Sequence, residues 1–184
     1  MNVIETELPG VLIIEPDVFE DGRGYFMETW SRRRYEEAGI ASGFVQDNAV
    51  FSTRGVLRGL HFQNPSQQGK LVYVLSGEVF DVAVDIRLGS PTFGRWVGVV
   101  LSGSNRRQLY IPEGFAHGYC VTGDSSLFMY KCTDGYNPGA EHSVLWSDPN
   151  IGIQWPADEP VVSKKDEAAP LLKDIPREHL PVYR

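Results

Sequence analysis

Residues 56–63, Val-Leu-Arg-Gly-Leu-His-Phe-Gln, place an imidazole and a guanidinium inside a run that otherwise reads as a half-buried strand. Strand side chains alternate, so His61 is expected to share a face with Gly59 and Gln63, with Arg58, Leu60 and Phe62 on the other. Gly55 and Gly59 would let something other than protein approach the backbone. Histidine changes charge near neutral pH, and burying it without a partner is costly. On this segment alone, a satisfied core histidine and a proton-transfer group both fit.

The segment Ile111–Gly118 adds Pro112-x-Gly114-x-x-His117, the spacing of the second motif of metal-binding cupins. In a metal centre His117 would join two further histidines and a glutamate from a first motif. The corresponding place reads His61-Phe62-Gln63, and glutamine is a poor ligand for the metals concerned. Of the four histidines, His179 lies in the tail, so no metal and no cofactor are expected. The chemistry then falls to His61, Lys70, Tyr130 and a carboxylate from Ser163–Asp166. Alternation puts Tyr130 with Phe128 and Cys132, opposite Lys131, so its phenol would point inward and need a partner. A histidine base, a lysine at an oxyanion and a tyrosine acid suit proton removal beside a carbonyl and its return from the other side. Asp166 beside His61 would orient the imidazole, as the third group does in nucleophilic triads.

These side chains need a framework, and strand signals dominate the chain. Short β-branched and aromatic runs are punctuated by glycine, proline, asparagine and aspartate, beginning with Val11–Ile14 and Gly24–Trp30. One helix is expected over Arg32–Ala38, capped by Ser31 and ended by Gly39, with its arginines on a solvated face. Three hairpins follow: Lys70–Leu75 with Val79–Ile86, Arg95–Leu101 with Arg107–Ile111, and Phe115–Val121 with Leu127–Cys132. In Val79–Ile86 one face is apolar and the other carries Asp81 and Asp85, either exposed to solvent or, in a barrel whose mouth binds ligand, holding a histidine or lysine in place. So many antiparallel strands predict an all-β fold, a cupin-type double-stranded β-helix or jelly roll with a few short helices. Short strands are expected near Ser143–Trp146, and a polar tail over about 173–184 packed on the outside.

At 184 residues the chain is expected to form a single domain, with an amino-terminal arm over about 1–50. A net charge of −7 argues against nucleic acid and membrane surfaces as partners. Cys120 and Cys132 read as reduced core thiols of a cytoplasmic protein. With no basic patch followed by an apolar core at the amino terminus, no signal peptide is expected, and no apolar run approaches the length of a membrane span.

Taken together, Gly22–Glu28, Phe44–Asn48, Leu57–Gln63, Gln68–Val72, Val82–Arg87, Ile111–Gly118, Tyr130–Asp134, Trp146–Pro149 and Ser163–Asp166 resemble the dTDP-4-dehydrorhamnose 3,5-epimerases, in order and spacing, over nearly the whole chain. The resemblance implies a metal-free enzyme that inverts C3 and C5 of dTDP-4-dehydro-6-deoxy-D-glucose on the way to dTDP-L-rhamnose. By position, His61 would be the base in a dyad with Asp166, Lys70 would stabilise the enolate at O4, and Tyr130 would return the proton. Arg23, Phe26, Glu28, Gln46, Asn48, Arg58, His117, Tyr136, Glu141 and Lys165 would hold the nucleotide sugar, with Tyr136 stacked on thymine. Arg23, Phe26 and Glu28 would reach from an exchanged arm into the other subunit of a homodimer. The chain departs from the family pattern at Gly135, commonly aromatic, and in Asn137–Ala140, which lacks the acidic residue often found after the proline. A single-carbon epimerase, a metal cupin and a non-catalytic sugar-nucleotide binder are the competing readings.

Overall fold

The structure, a computed structural model, describes residues 1–40 and 43–183. The strands are β1 (Asn2–Glu5), β2 (Leu12–Glu15), β3 (Val18–Asp21) and β4 (Gly24–Met27), then, beyond helix α1 (Arg32–Glu37), β5 (Gln46–Thr53) and β6 (Leu57–Gln63). There follow β7 (Lys70–Asp85), β8 (Trp96–Ser102), β9 (Gln108–Ile111), β10 (Phe115–Cys132) and β11 (Glu141–Ser143), a short helix α2 (Lys164–Glu167), and two 3-10 turns at Leu172–Asp174 and Arg177–His179. β3 and β4 form a separate hairpin; the other nine strands make one sheet folded over on itself.

The folding is done by β7 and β10, which run antiparallel to each other along most of their length. The first half of β7 pairs with β9 and its second half with β8. The first half of β10 pairs with β6 and its second half with β5. Two layers result, β1-β2-β9-β7-β10-β5 and β8-β7-β10-β6-β11, each containing one half of both long strands. Val72, Val74, Phe128 and Leu109 from the first layer pack against Val79, Ala83, Tyr119 and Leu101 from the second. This is the expected jelly roll.

None of the three expected hairpins forms. Ser76-Gly77-Glu78 and Gly123-Asp124-Ser125 lie within the continuous strands β7 and β10. There the chain turns the corner between layers without reversing, and a glycine marks the corner because only it fits. A Cβ on Gly77 would fall 1.7 Å from the Ser125 carbonyl oxygen. β8 and β9 likewise both pair with β7 instead of forming the third hairpin.

Each layer is also covered on its outer face. Tyr35 of α1 and Ile40 pack with Ile14 and Leu71 on the first. On the second, Ile151, Leu172, Ile175 and Leu180 cover Leu60, Phe62, Val82 and Val84. The tail expected to be polar thus docks through apolar side chains, each full burial contributing about 1.5–3 kcal/mol. α1 forms as expected, with Gly39 at φ +85° beyond its end, although the Ser31 side chain makes no capping bond. Asp85 is fully buried and ties down the loop after β7, binding Arg87 at 2.9 and 2.7 Å, Ser90 at 2.6 Å and Thr92 at 2.7 Å.

Candidate active site

Strands β6 and β10 approach closely because two glycines face one another. A Cβ on Gly59 would lie 2.5 Å from Gly118 Cα, and one on Gly118 would lie 2.7 Å from the Arg58 carbonyl oxygen. The space at Gly59 is therefore taken by the neighbouring strand and not by a ligand. His117 registers with His61 and Tyr119 with Arg58, so β6 carries one extra residue over this stretch. That bulge corrects the simple alternation, because Arg58 and His61 now line the same cavity.

The cavity lies between the two layers. Its inner part, about 190 Å³, is bounded by Arg58, His61 and His117 from the second layer and by Lys70, Phe128 and Tyr130 from the first. An outer part of about 110 Å³ runs past Gln46, Gln68, Cys132 and Glu141 to Tyr136. His61, Lys70 and Tyr130 are the three residues that border both parts. Alternation along β10 holds here: Tyr130 faces inward with Phe128 and Cys132, while Lys131 turns out to Asp47 at 2.7 Å.

Behind His61, the Ser163 hydroxyl accepts the Asp166 amide at 3.1 Å and starts α2. This one turn aims the Asp166 carboxylate at His61 Nε2, 2.6 Å away, and leaves Nδ1 as the ring nitrogen without that partner. Burial works to raise the Asp166 carboxyl. The bond and charge of His61, the Ser163 hydroxyl and the Gly59 amide outweigh it and hold the group below the usual carboxylate range. Burial pushes the Lys70 ammonium down, opposed by attraction to Cys132, Asp81 and Glu141. Burial lifts the Tyr130 phenol, with help from Cys132 and Glu141 and against Arg58, so it stays protonated well above neutral pH. His117 is pushed down by burial and held back by Asp81, which its Nε2 meets at 2.9 and 3.0 Å.

At the mouth, the Tyr136 hydroxyl donates to Glu141 at 3.0 Å, and Lys165 pairs with the same carboxylate oxygen. Gln46 accepts the Tyr136 amide at 2.9 Å. Gln63, far from serving a metal, donates to the Gly135 carbonyl at 3.2 Å and accepts from the Asn137 amide at 2.9 Å, fastening the loop where the sequence departs from its family pattern. Asn48 lies just outside the lining, bonded to Gln46 at 3.0 Å. Lys165 borders a third hollow, of about 390 Å³, with Arg58, His61, Val161 and Asp166.

Arg23, Phe26 and Glu28 are not brought to this cavity by their own chain. Arg23 is 90 % exposed and pairs with Asp21, Phe26 is 68 % exposed against Phe19, and Glu28 meets Arg34 at 3.2 Å. The broad hollow beside Arg23 and Phe26 shares no lining residue with the cavity at His61. Asp81, left open between the solvent face and holding a histidine or lysine, takes the second role at His117; alternation grouped it with Asp85, but nothing local told which face of β7 is inward. Among the described residues no cluster of three or more histidines, cysteines and carboxylates could hold a metal ion, and no helix is long and apolar enough to cross a membrane.

The sequence profile of the dTDP-4-dehydrorhamnose 3,5-epimerases matches residues 5–174. The chain belongs to this family. A dTDP-4-dehydrorhamnose 3,5-epimerase of Shigella flexneri is 59 % identical over 168 residues, which is 90 % of this chain and 93 % of that one. The crystal structure of a dTDP-6-deoxy-D-glucose-3,5-epimerase from Legionella pneumophila, in complex with dTDP-4-keto-L-rhamnose, superimposes with a TM-score of 0.97 at 55 % identity, covering 100 % of this chain and 98 % of that one. A 3'-monoepimerase from Streptomyces bikiniensis, in complex with dTDP-quinovose, gives 0.90 at 36 % identity over 97 % and 92 % of the two chains. Membership of the dTDP-4-dehydrorhamnose 3,5-epimerase family makes the chain an isomerase, an epimerase of dTDP-linked 4-keto-6-deoxy sugars.

Proposed function

We propose that this epimerase inverts both C3 and C5 of dTDP-4-dehydro-6-deoxy-D-glucose, giving dTDP-4-dehydro-L-rhamnose for dTDP-L-rhamnose synthesis. One observation carries the reading: His61 and Tyr130 border one cavity from opposite layers, with Lys70 at the same cavity. Both carbons are α to the C4 ketone, so one base and one acid serve both. His61, oriented by Asp166, takes the α-proton at Nδ1, and the electron pair moves onto O4. The Lys70 ammonium meets that charge. Tyr130 then gives its phenolic proton to the opposite face of the carbon, inverting it. Imidazolium and phenolate are reset by proton exchange, and the cycle repeats at the second carbon.

Arg58 suits the diphosphate because its fork makes paired, charge-assisted bonds. Tyr136, half exposed at the mouth and steadied by Glu141, suits stacking on thymine. Gln46, Asn48, His117 and Lys165 complete the nucleotide-sugar site. Arg23, Phe26 and Glu28 act in the partner's cavity of a homodimer, a reading supported by exposed apolar side chains on the arm and β5, Phe19, Phe26 and Phe51.

Proton NMR of the 4-keto sugar nucleotide with the enzyme in deuterium oxide tests the reaction. Deuterium is expected at both C3 and C5. Label at one carbon supports a mono-epimerase instead, and bound dTDP with no label supports a binding protein.

A further inference from the structure

Behind His117, which lines the inner cavity, stands one charged side chain to which the reaction above gives no task. Asp81, on β7, is fully buried, and both its oxygens lie within hydrogen-bond distance of His117 Nε2. Burying a carboxylate–imidazole pair is costly, and an apolar pair of similar volume would serve stability as well or better. The surroundings suggest what the charge is for. Lys70 shares the cavity, and among the described residues it forms no salt bridge. Its burial favours the neutral amine, and an amine cannot neutralise an enolate. The groups opposing that burial are Cys132 on β10, then Asp81 across the barrel and Glu141 on β11; burial pushes the Cys132 thiol up, so near neutral pH the standing charges are the two carboxylates. Facing them are His61 and Arg58 on β6 and His117, Tyr119 and Tyr130 on β10, with Asp166 of α2 behind His61. Glu141 is already engaged by Lys165 and Tyr136, whereas Asp81 has only the His117 ring.

We infer that Asp81 is a positioning residue: it fixes the His117 ring through Nε2 and, by its field across the cavity, keeps an ammonium at Lys70 to receive the enolate charge. The inference rests on the epimerase reading. It requires His117 to carry its proton on Nε2, facing Asp81.

Asp81→Asn keeps the shape and an acceptor oxygen for Nε2–H while deleting the charge. With the full-length enzyme and the 4-keto sugar nucleotide, the alkaline limb of the kcat–pH profile should move toward acid by roughly half to one pH unit. KM should change by less than about threefold, because the lost charge acts through Lys70 and not on the nucleotide. An active wild type whose alkaline limb is unmoved in Asp81→Asn overturns the role of Asp81. A wild type that does not turn over the sugar overturns the epimerase reading instead. A second measurement needs no variant: 15N chemical shifts of ligand-free wild type should show His117 protonated at Nε2. A proton on Nδ1 with bare Nε2 overturns the inference.

Discussion

Replacing Asp166 with asparagine isolates the contribution of one hydrogen bond to proton abstraction. The side chain keeps its size and its place on α2, where the Ser163 hydroxyl holds the residue-166 amide at 3.1 Å. What is lost is a 2.6 Å charge-assisted bond to His61 Nε2, made by a carboxylate that is 5 % exposed. Such bonds contribute about 1.5–3 kcal/mol. The imidazolium forms only as the α-proton is taken, so most of that free energy belongs to the transition state. At about 1.36 kcal/mol per tenfold, kcat should fall by roughly one to two orders of magnitude. Asp166 stands behind the ring and is absent from the lining of the inner and outer cavity, so KM should move by less than about threefold. Initial rates of deuterium incorporation, followed by NMR at several substrate concentrations, separate the two constants. A kcat within twofold of wild type, or a loss confined to KM, would refute the assignment of Asp166 to orienting and charging the base.

Two further predictions concern the frame that holds the site. Gly118→Ala puts a methyl group 2.7 Å from the Arg58 carbonyl oxygen and 3.2 Å from Gly59 Cα; pushing β6 from β10 should cost roughly 1–3 kcal/mol in denaturant unfolding and also reduce turnover, since His61 and His117 ride on those strands. Unchanged stability would mean the strands part freely. Asp85→Ala strips Arg87 of a buried partner and should destabilise by about 3–5 kcal/mol at neutral pH. Burial acts to raise this carboxyl, but Arg87, Ser90 and Thr92 together hold it below the usual range. Its contribution is therefore complete above the ordinary carboxylate pKa and fades as pH drops through the lowered folded value. The stability gap between wild type and variant should narrow in acid, and a gap that widened there would contradict the assignment.

The sequence made the strands, the barrel class and the inward face of β10 legible, and physical reasons explain where it misled. Tyr130 alternates correctly with Phe128 and Cys132 because β10 runs without a bulge from Phe128 to Cys132. Arg58 does not alternate with His61, because the extra residue in β6 is set by its fit against Gly118, which no local period records. Glycine and serine at residues 76–78 look the same whether the chain reverses or rounds a corner; hydrogen bonding to β10 decides between them. Asp81 and Asp85 needed the tertiary arrangement to show that both are buried. The His61–Asp166 pair joins residues 105 apart, so no local period could pair them; the chemistry a base requires, and then the family resemblance, did so before the geometry.

The two long strands have a consequence for how such a barrel can diversify. Lys70 and Asp81 ride on one continuous ribbon, His117 and Tyr130 on its neighbour, and the ladder between them runs in register on both sides of the corner, where it shifts. Acid, cation and counter-charge are thereby locked into a single mutual spacing by main-chain bonds alone. The loop carrying Tyr136 and the turn carrying Lys165 hang from the rim and take no part in that ladder. Substitution there can retune which sugar nucleotide is admitted while the reacting groups keep their stations, so selectivity and reactivity are free to change at different rates.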